Sequence, residues 1–237
     1  MTIDVLSIDV PPTEHGLSMT DPTTGRTVIA VATTSHPMRQ RSSIAHELGH
    51  VLAGDLDSKT PLVPGDRSPA EICADAFARH LLLPLEAVER RLPKGNESAT
   101  LSDLSALVQE FEVSPALAAI QLRTTGRIDA ETYTAWSKYS TARLATTFGW
   151  LSQYRSLAAD SATPRAPQSL MTRAVEGYQR GVLGIAELSA WYGQDPEDLE
   201  KELGPPRRAD LPNEWGDEWD EDAPLFPGST AKGETTS

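Results

Sequence analysis

The sequence predicts an α+β chain that is mainly α. Two short β-branched segments flank a turn within the first 34 residues, which is enough for a small antiparallel sheet over residues 3 to 34. From Pro37 onward, apolar residues recur at helical spacing, and Ser-Pro pairs open two of the segments while Gly or Pro closes them. From Pro205 the periodicity is lost, and residues 205 to 237 are expected to be a disordered acidic tail.

Taken in order, "TIDVLSIDV" and "GRTVIAVATT" are the strand candidates, and "DPTTG" is the turn cluster between them. "MRQRSSIAHELGHVLAG" follows as a helix with Ile44, Leu48 and Val51 near one stripe and Gly54 at its end. After the loop "TPLVPGDR", a second helix begins at "SPAEICADAFARHLLLP", with Ser68 as N-cap, Pro69 in the first turn and Pro84 as the stop. "LSDLSALVQEF" and "SPALAAIQLRTTG" then form a helix-turn-helix in outline. Residues 130 to 160 read as one further helix and "ADSATPRAPQ" as a linker, before a second set of short helices that runs to residue 204. This divides the chain into a core over 1–95, a helix-turn-helix-like module over 96–128, a helical extension over 129–204 and the tail.

Charge and composition narrow the chemistry. The formal net charge of −13 repels a phosphate backbone, so direct nucleic-acid binding is not expected and basic partners are favoured. No apolar run reaches the ~18 residues of a membrane span, and the N-terminus lacks the pattern of a secretory signal, so a cytoplasmic location is expected. Cys73 is the single cysteine, which excludes both an intramolecular disulfide and a thiolate zinc cluster. It is expected to be a small buried hydrophobe. Any metal must rest on His, Asp and Glu.

The stretch "IAHELGHVLAG" supplies the first of these. At i and i+4 on a helix, His46 and His50 are offset by about 40° and aim both imidazoles at one point, a geometry zinc accepts. Glu47, rotated by about 100° from His46, reaches the water position and is placed to act as general base. A catalytic zinc needs a third protein ligand. Glu71 is the best candidate, because "EICAD" puts Glu71 and Asp75 on one face of the second helix, where Asp75 can orient a ligating imidazole. Two bland alternatives stand beside this. Ser68 to Glu71 is also a capping box, and Asp75 can simply face solvent. His15, His36 and His80 are expected on loops or the surface.

"RQRSSIAHELGHVLAGD", "EICADAFARHLLLP" and "LVQEFEVSPALAAIQLRTTGRI" together resemble the ImmA/IrrE metallopeptidase family over about residues 25 to 128. The resemblance implies a small zincin-like fold, Zn2+ held by His46, His50 and Glu71, and Glu47 as catalytic base. It also implies a protein substrate, a helix-turn-helix transcriptional repressor, cleaved by a zinc-dependent endopeptidase in mobile-element or stress-response control. Asp75 departs from the Asn that members often carry there. The alternative is a DNA-binding or protein-interaction regulator with a structural or sensory zinc site. The transition-state oxyanion needs a further donor, for which Arg41 and the tyrosines are the candidates. Residues 210 to 226, where Trp215 and Trp219 stand four apart among the seven acids of Asp210 to Asp222, are read either as docking a basic repressor substrate or as folding back over the protein's own surface, with a functionless tail as the bland alternative.

Overall fold

The computed structural model describes residues 2–10, 16–56, 68–92 and 98–206. The acidic run with Trp215 and Trp219, the whole "TPLVPGDR" loop, and His15 lie outside the described residues. The described chain forms two compact units, Met1–Met171 and a second from Thr172 onward.

The first unit opens with three strands, β1 (Ile3–Ile8), β2 (Gly16–Thr20) and β3 (Thr27–Ala32), in the spatial order β1-β3-β2. The expected antiparallel sheet is instead mixed: β2 pairs antiparallel with β3, and β1 pairs parallel with β3. The reason lies in "GLSMT", which lacks the β-branched signature and was not expected to be a strand. It forms the hairpin with β3 across "DPTTG", where Asp21 accepts from Thr23 N–H and Thr24 Oγ1 and Gly25 takes a positive φ of 67°. With that edge of β3 filled, β1 takes the other edge and runs parallel.

Helix α1 (Pro37–Ala53) packs on one face of the sheet. Ile29 and Val31 of β3 are buried against Val51, with Ile44 and Leu48 packed beside them, which is the stripe expected from periodicity. Helix α2 (Pro69–Leu82) starts with Ser68 Oγ accepting from Glu71 N–H, and α3 (Leu85–Arg91) follows Pro84. Next come α4 (Leu101–Phe111) and α5 (Pro115–Thr124), the expected helix pair, joined through Glu112 in the left-handed region at φ 49°.

Residues 130 to 160 are three helices rather than one: α6 (Ala130–Trp136), α7 (Thr141–Thr147) and α8 (Leu151–Ser161). Ser140 caps α7, and Gly149 at φ 83° breaks the chain before α8. Leu104, Leu107, Val108, Leu122 and Leu144 are fully buried in the main core. There Trp150 Nε1 donates to Ser105 Oγ at 2.9 Å. The expected linker after α8 is tied down, since Ser7 and Arg165 exchange two backbone hydrogen bonds of 2.9 Å and extend the sheet beside β1.

Three more helices follow: α9 (Gln168–Gln179), α10 (Ile185–Tyr192) and α11 (Pro196–Leu203). The second unit has its own small core of Ala174, Tyr178, Leu188 and Leu199. No helix among the described residues is long and apolar enough to cross a membrane.

Candidate metal centre

Two helices carry the centre, and a glycine lets them meet. Gly49 is buried on α1, and a Cβ built there would lie 3.1 Å from Ala74 Cα and 3.2 Å from Phe77 Cδ1 of α2. With only a hydrogen at this point, α2 lies close enough for its first two turns to face the last two turns of α1.

Across that contact, His46, His50 and Glu71 each bring one ligand atom to within 4.8 Å of the others. His46 Nε2 and His50 Nε2 are 3.1 Å apart, and the Glu71 oxygens lie 3.2 Å and 3.4 Å from them. The Glu71 carboxylate is thus at the imidazoles, and only the Ser68 half of the alternative capping arrangement is seen.

The other imidazole nitrogens decide what these separations mean. His46 Nδ1 is 2.9 Å from Asp75 Oδ1, and His50 Nδ1 is 2.9 Å from Asp55 Oδ1. A carboxylate accepts, so a ring that donates to it from Nδ1 in its singly protonated form presents a bare lone pair at Nε2. Two such lone pairs, and a carboxylate that sets Oε2 3.2 Å from His46 Nε2 and Oε1 3.4 Å from His50 Nε2, repel one another unless a cation lies between them. Ligand bonds of about 2.0–2.1 Å in a tetrahedron put neighbouring ligands about 3.3 Å apart. The donor set fits zinc in both chemistry and spacing.

Asp55 was not expected at this site. Its position follows from Gly54, whose left-handed φ of 70° caps α1 and turns the chain back over the last turn. The only local signal is an Asp next to a C-cap glycine, which is too common to single out. Asp75, by contrast, stands where its spacing from Glu71 puts it.

Glu47 lies beside the three converging groups rather than among them. Its Oε2 accepts a 2.6 Å hydrogen bond from Ser18 Oγ of β2. Both residues line a cleft of about 1180 Å³ with His46, His50 and Glu71, its walls built from β2, β3, α1 and the start of α2. Arg41 pairs with Glu112 at 3.0 Å instead, and neither it nor any tyrosine lines the cleft among the described residues. Arg39, Ser42 and Ser43 do.

Cys73 is exposed rather than buried, because it lies on the outer side of α2, away from Ala74 and Ala78 that face the interior. His36 and His80 are also exposed, with His36 at the N-cap of α1.

Among curated proteins, none matches the chain. The family model described as the IrrE N-terminal-like domain, a peptidase family, matches residues 1–123, which include both site helices and reach α5. That span covers more than half of the 237 residues and holds every group of the centre. The chain belongs to the ImmA/IrrE family of peptidases.

Proposed function

We propose that this chain is a zinc-dependent endopeptidase that cleaves a helix-turn-helix transcriptional repressor in mobile-element or stress-response control, acting in the cytoplasm. The observation that carries the reading is the convergence of His46 Nε2, His50 Nε2 and Glu71 on one point with Glu47 alongside. His46, His50 and Glu71 would hold the ion, and zinc there would supply a Lewis acid and a water of lowered pKa.

The chain's own groups do the rest. Asp75 and Asp55 hold the two rings in the tautomer that leaves Nε2 free. Glu47 takes the proton from the attacking water as its O–H bond breaks, and later gives it to the nitrogen of the departing amine. For the oxyanion, Arg41 is the weaker choice because of its pairing with Glu112, and Arg39, Ser42 and Ser43 are the better ones by position. Among the described residues strand β2 is an edge of the sheet beside Glu47, where an extended substrate would add as a further strand.

The DNA-binding alternative is disfavoured by α5, where Ala118, Ala119, Gln121 and Leu122 are fully buried. Only Arg123 and Thr124 of that helix are exposed, and Arg123 lies over the Tyr133 ring at 5.1 Å, which leaves no set of side chains to read bases. The test is to incubate the purified protein with the helix-turn-helix regulators of its genetic neighbourhood, with and without chelator, and to map fragments by mass spectrometry. Chelator-sensitive cleavage by wild type and none by Glu47→Gln is expected. Cleavage that survives both would refute the assignment.

A further inference from the structure

Strand β2 presents Gly16 and Ser18 on one side, since alternate residues of a strand face the same way. Their partners across the ladder are Val31 and Ile29, the two buried residues of β3 that pack against α1. That side of β2 therefore faces the helix that bears Glu47. Gly16 and Ser18 both meet the same carboxylate, at different atoms. Ser18 Oγ donates to Glu47 Oε2 at 2.6 Å, and a Cβ at Gly16 would stand 2.9 Å from Glu47 Oε1 and 2.9 Å from its Cγ.

We propose that Gly16 and Ser18 form a cradle that positions Glu47, with Ser18 occupying Oε2 so that Oε1 is the atom that exchanges the proton. This deepens the peptidase reading and rests on it. A glutamate on a helix surface has three rotatable bonds, and an untethered one spends much of its time away from any single position. A hydrogen bond to an ionised carboxylate is among the stronger ones available, and its partner here is carried by a different element from Glu47. Ser18 thus fixes the carboxylate relative to the sheet edge as well as to α1. Gly16 is the complementary half, because any side chain there would press on Oε1, the oxygen left free. The water O–H bond breaks as the Oε1–H bond forms, Oε2 keeps its bond from Ser18 throughout, and the same proton leaves Oε1 for the amine nitrogen.

The test uses full-length Ser18→Ala, Ser18→Thr and Gly16→Ala beside wild type. Zinc stoichiometry and thermal midpoint are measured for each, together with kcat and KM on the mapped substrate and the 13C carboxyl signal of Glu47 in metal-free protein. Ser18→Ala should lose about 10-fold in kcat with KM within about twofold and full zinc content. Ser18→Thr, which keeps the hydroxyl, should recover most of that loss. Gly16→Ala should lower kcat while keeping zinc, and the Glu47 carboxyl signal should move in Ser18→Ala and stay near wild type in Ser18→Thr. Wild-type kcat in Ser18→Ala, a loss that follows zinc content, or failure of Thr to restore it would overturn the proposal. If wild type cleaves nothing, the peptidase reading fails by itself and the carboxyl signal decides the cradle: an unmoved signal in Ser18→Ala refutes it.

Discussion

Gly49→Ala sets two opposed effects against each other. An alanine in place of glycine inside a helix gains about 1 kcal/mol of intrinsic propensity. Against this, the new methyl would meet Ala74 Cα at 3.1 Å, Phe77 Cδ1 at 3.2 Å and Ala74 Cβ at 3.3 Å, where ordinary contact begins at 3.4 Å. A phenyl ring can rotate away, but a backbone Cα cannot. To reach a carbon–carbon separation of about 3.6 Å, α2 must retreat by about 0.5 Å, and overpacking of this kind costs about 1–3 kcal/mol. The steric term wins, leaving a net loss of about 0–2 kcal/mol, which lowers Tm by up to about 6 °C for a domain of this size. The displacement matters more for the site than for the fold. Ala74 lies between Glu71 and Asp75 in chain order, so a retreat there carries both carboxylates away from His46 and His50. Zinc affinity should fall at least about 10-fold, as expected when the groups that orient ligands are disturbed. The assay is competition with a chromogenic chelator, alongside a melting curve of metal-free protein. A Gly49→Ala variant that melts higher than wild type and binds zinc equally well would show that propensity prevails and that the helix contact does not set the site.

The protein should bind about one zinc, and His46→Ala, His50→Ala or Glu71→Ala should each lose most of it while Glu47→Gln retains it, as read by elemental analysis after dialysis. Asp55→Ala and Asp75→Ala should each weaken zinc binding by ~10–100-fold without changing the ligand count; equal affinity in either variant would remove that carboxylate from the centre. Trp150→Phe leaves Ser105 Oγ without its buried donor and should cost about 1–2 kcal/mol in a denaturant melt. Asp129 caps α6, and the Thr132 N–H it accepts holds its carboxyl below the ordinary value. Its contribution is therefore present above the ordinary carboxylate range and is lost as pH falls through the lowered value; Asp129→Asn, a cap without the charge, should reduce the acid dependence of Tm, and an unchanged profile would count against it.

What the sequence reveals here follows from how far each interaction reaches along the chain. Two imidazoles four apart and two carboxylates four apart are each repeats of one helical turn, and the structure brings His46, His50, Glu71 and Asp75 together as the spacing requires, with Glu47 alongside. Ser68, Pro69 and Gly54 mark helix ends through bonds to their immediate neighbours, so those boundaries were also legible. The failures share a cause. "GLSMT" becomes a strand because β3 offers it an edge, and the segment around Arg165 joins the sheet because β1 does, neither of which is a property of the local sequence. Splitting residues 130 to 160 into three helices depended on reading Ser140 and Gly149 as breaks inside a helical pattern, where each signal is weak when taken singly.

The same division runs through the site itself. The positions of His46, His50, Glu71 and Asp75 on α1 and α2 follow from periodicity, whereas Ser18 meets Glu47 from 29 residues away and Asp55 meets His50 only because a left-handed glycine turns the chain. A helix can aim groups at a point, but it cannot hold a long side chain still or choose an imidazole tautomer; those tasks need partners from other directions. The sheet edge supplies one such partner and the C-cap turn another. The sequence pattern alone therefore points to His46, Glu47, His50, Glu71 and Asp75, and the fold adds Ser18 and Asp55 beside them. The proposed roles can be measured, because removing a proposed ligand or base should abolish binding or cleavage, while removing an orienting carboxylate or hydroxyl should weaken it by a bounded factor.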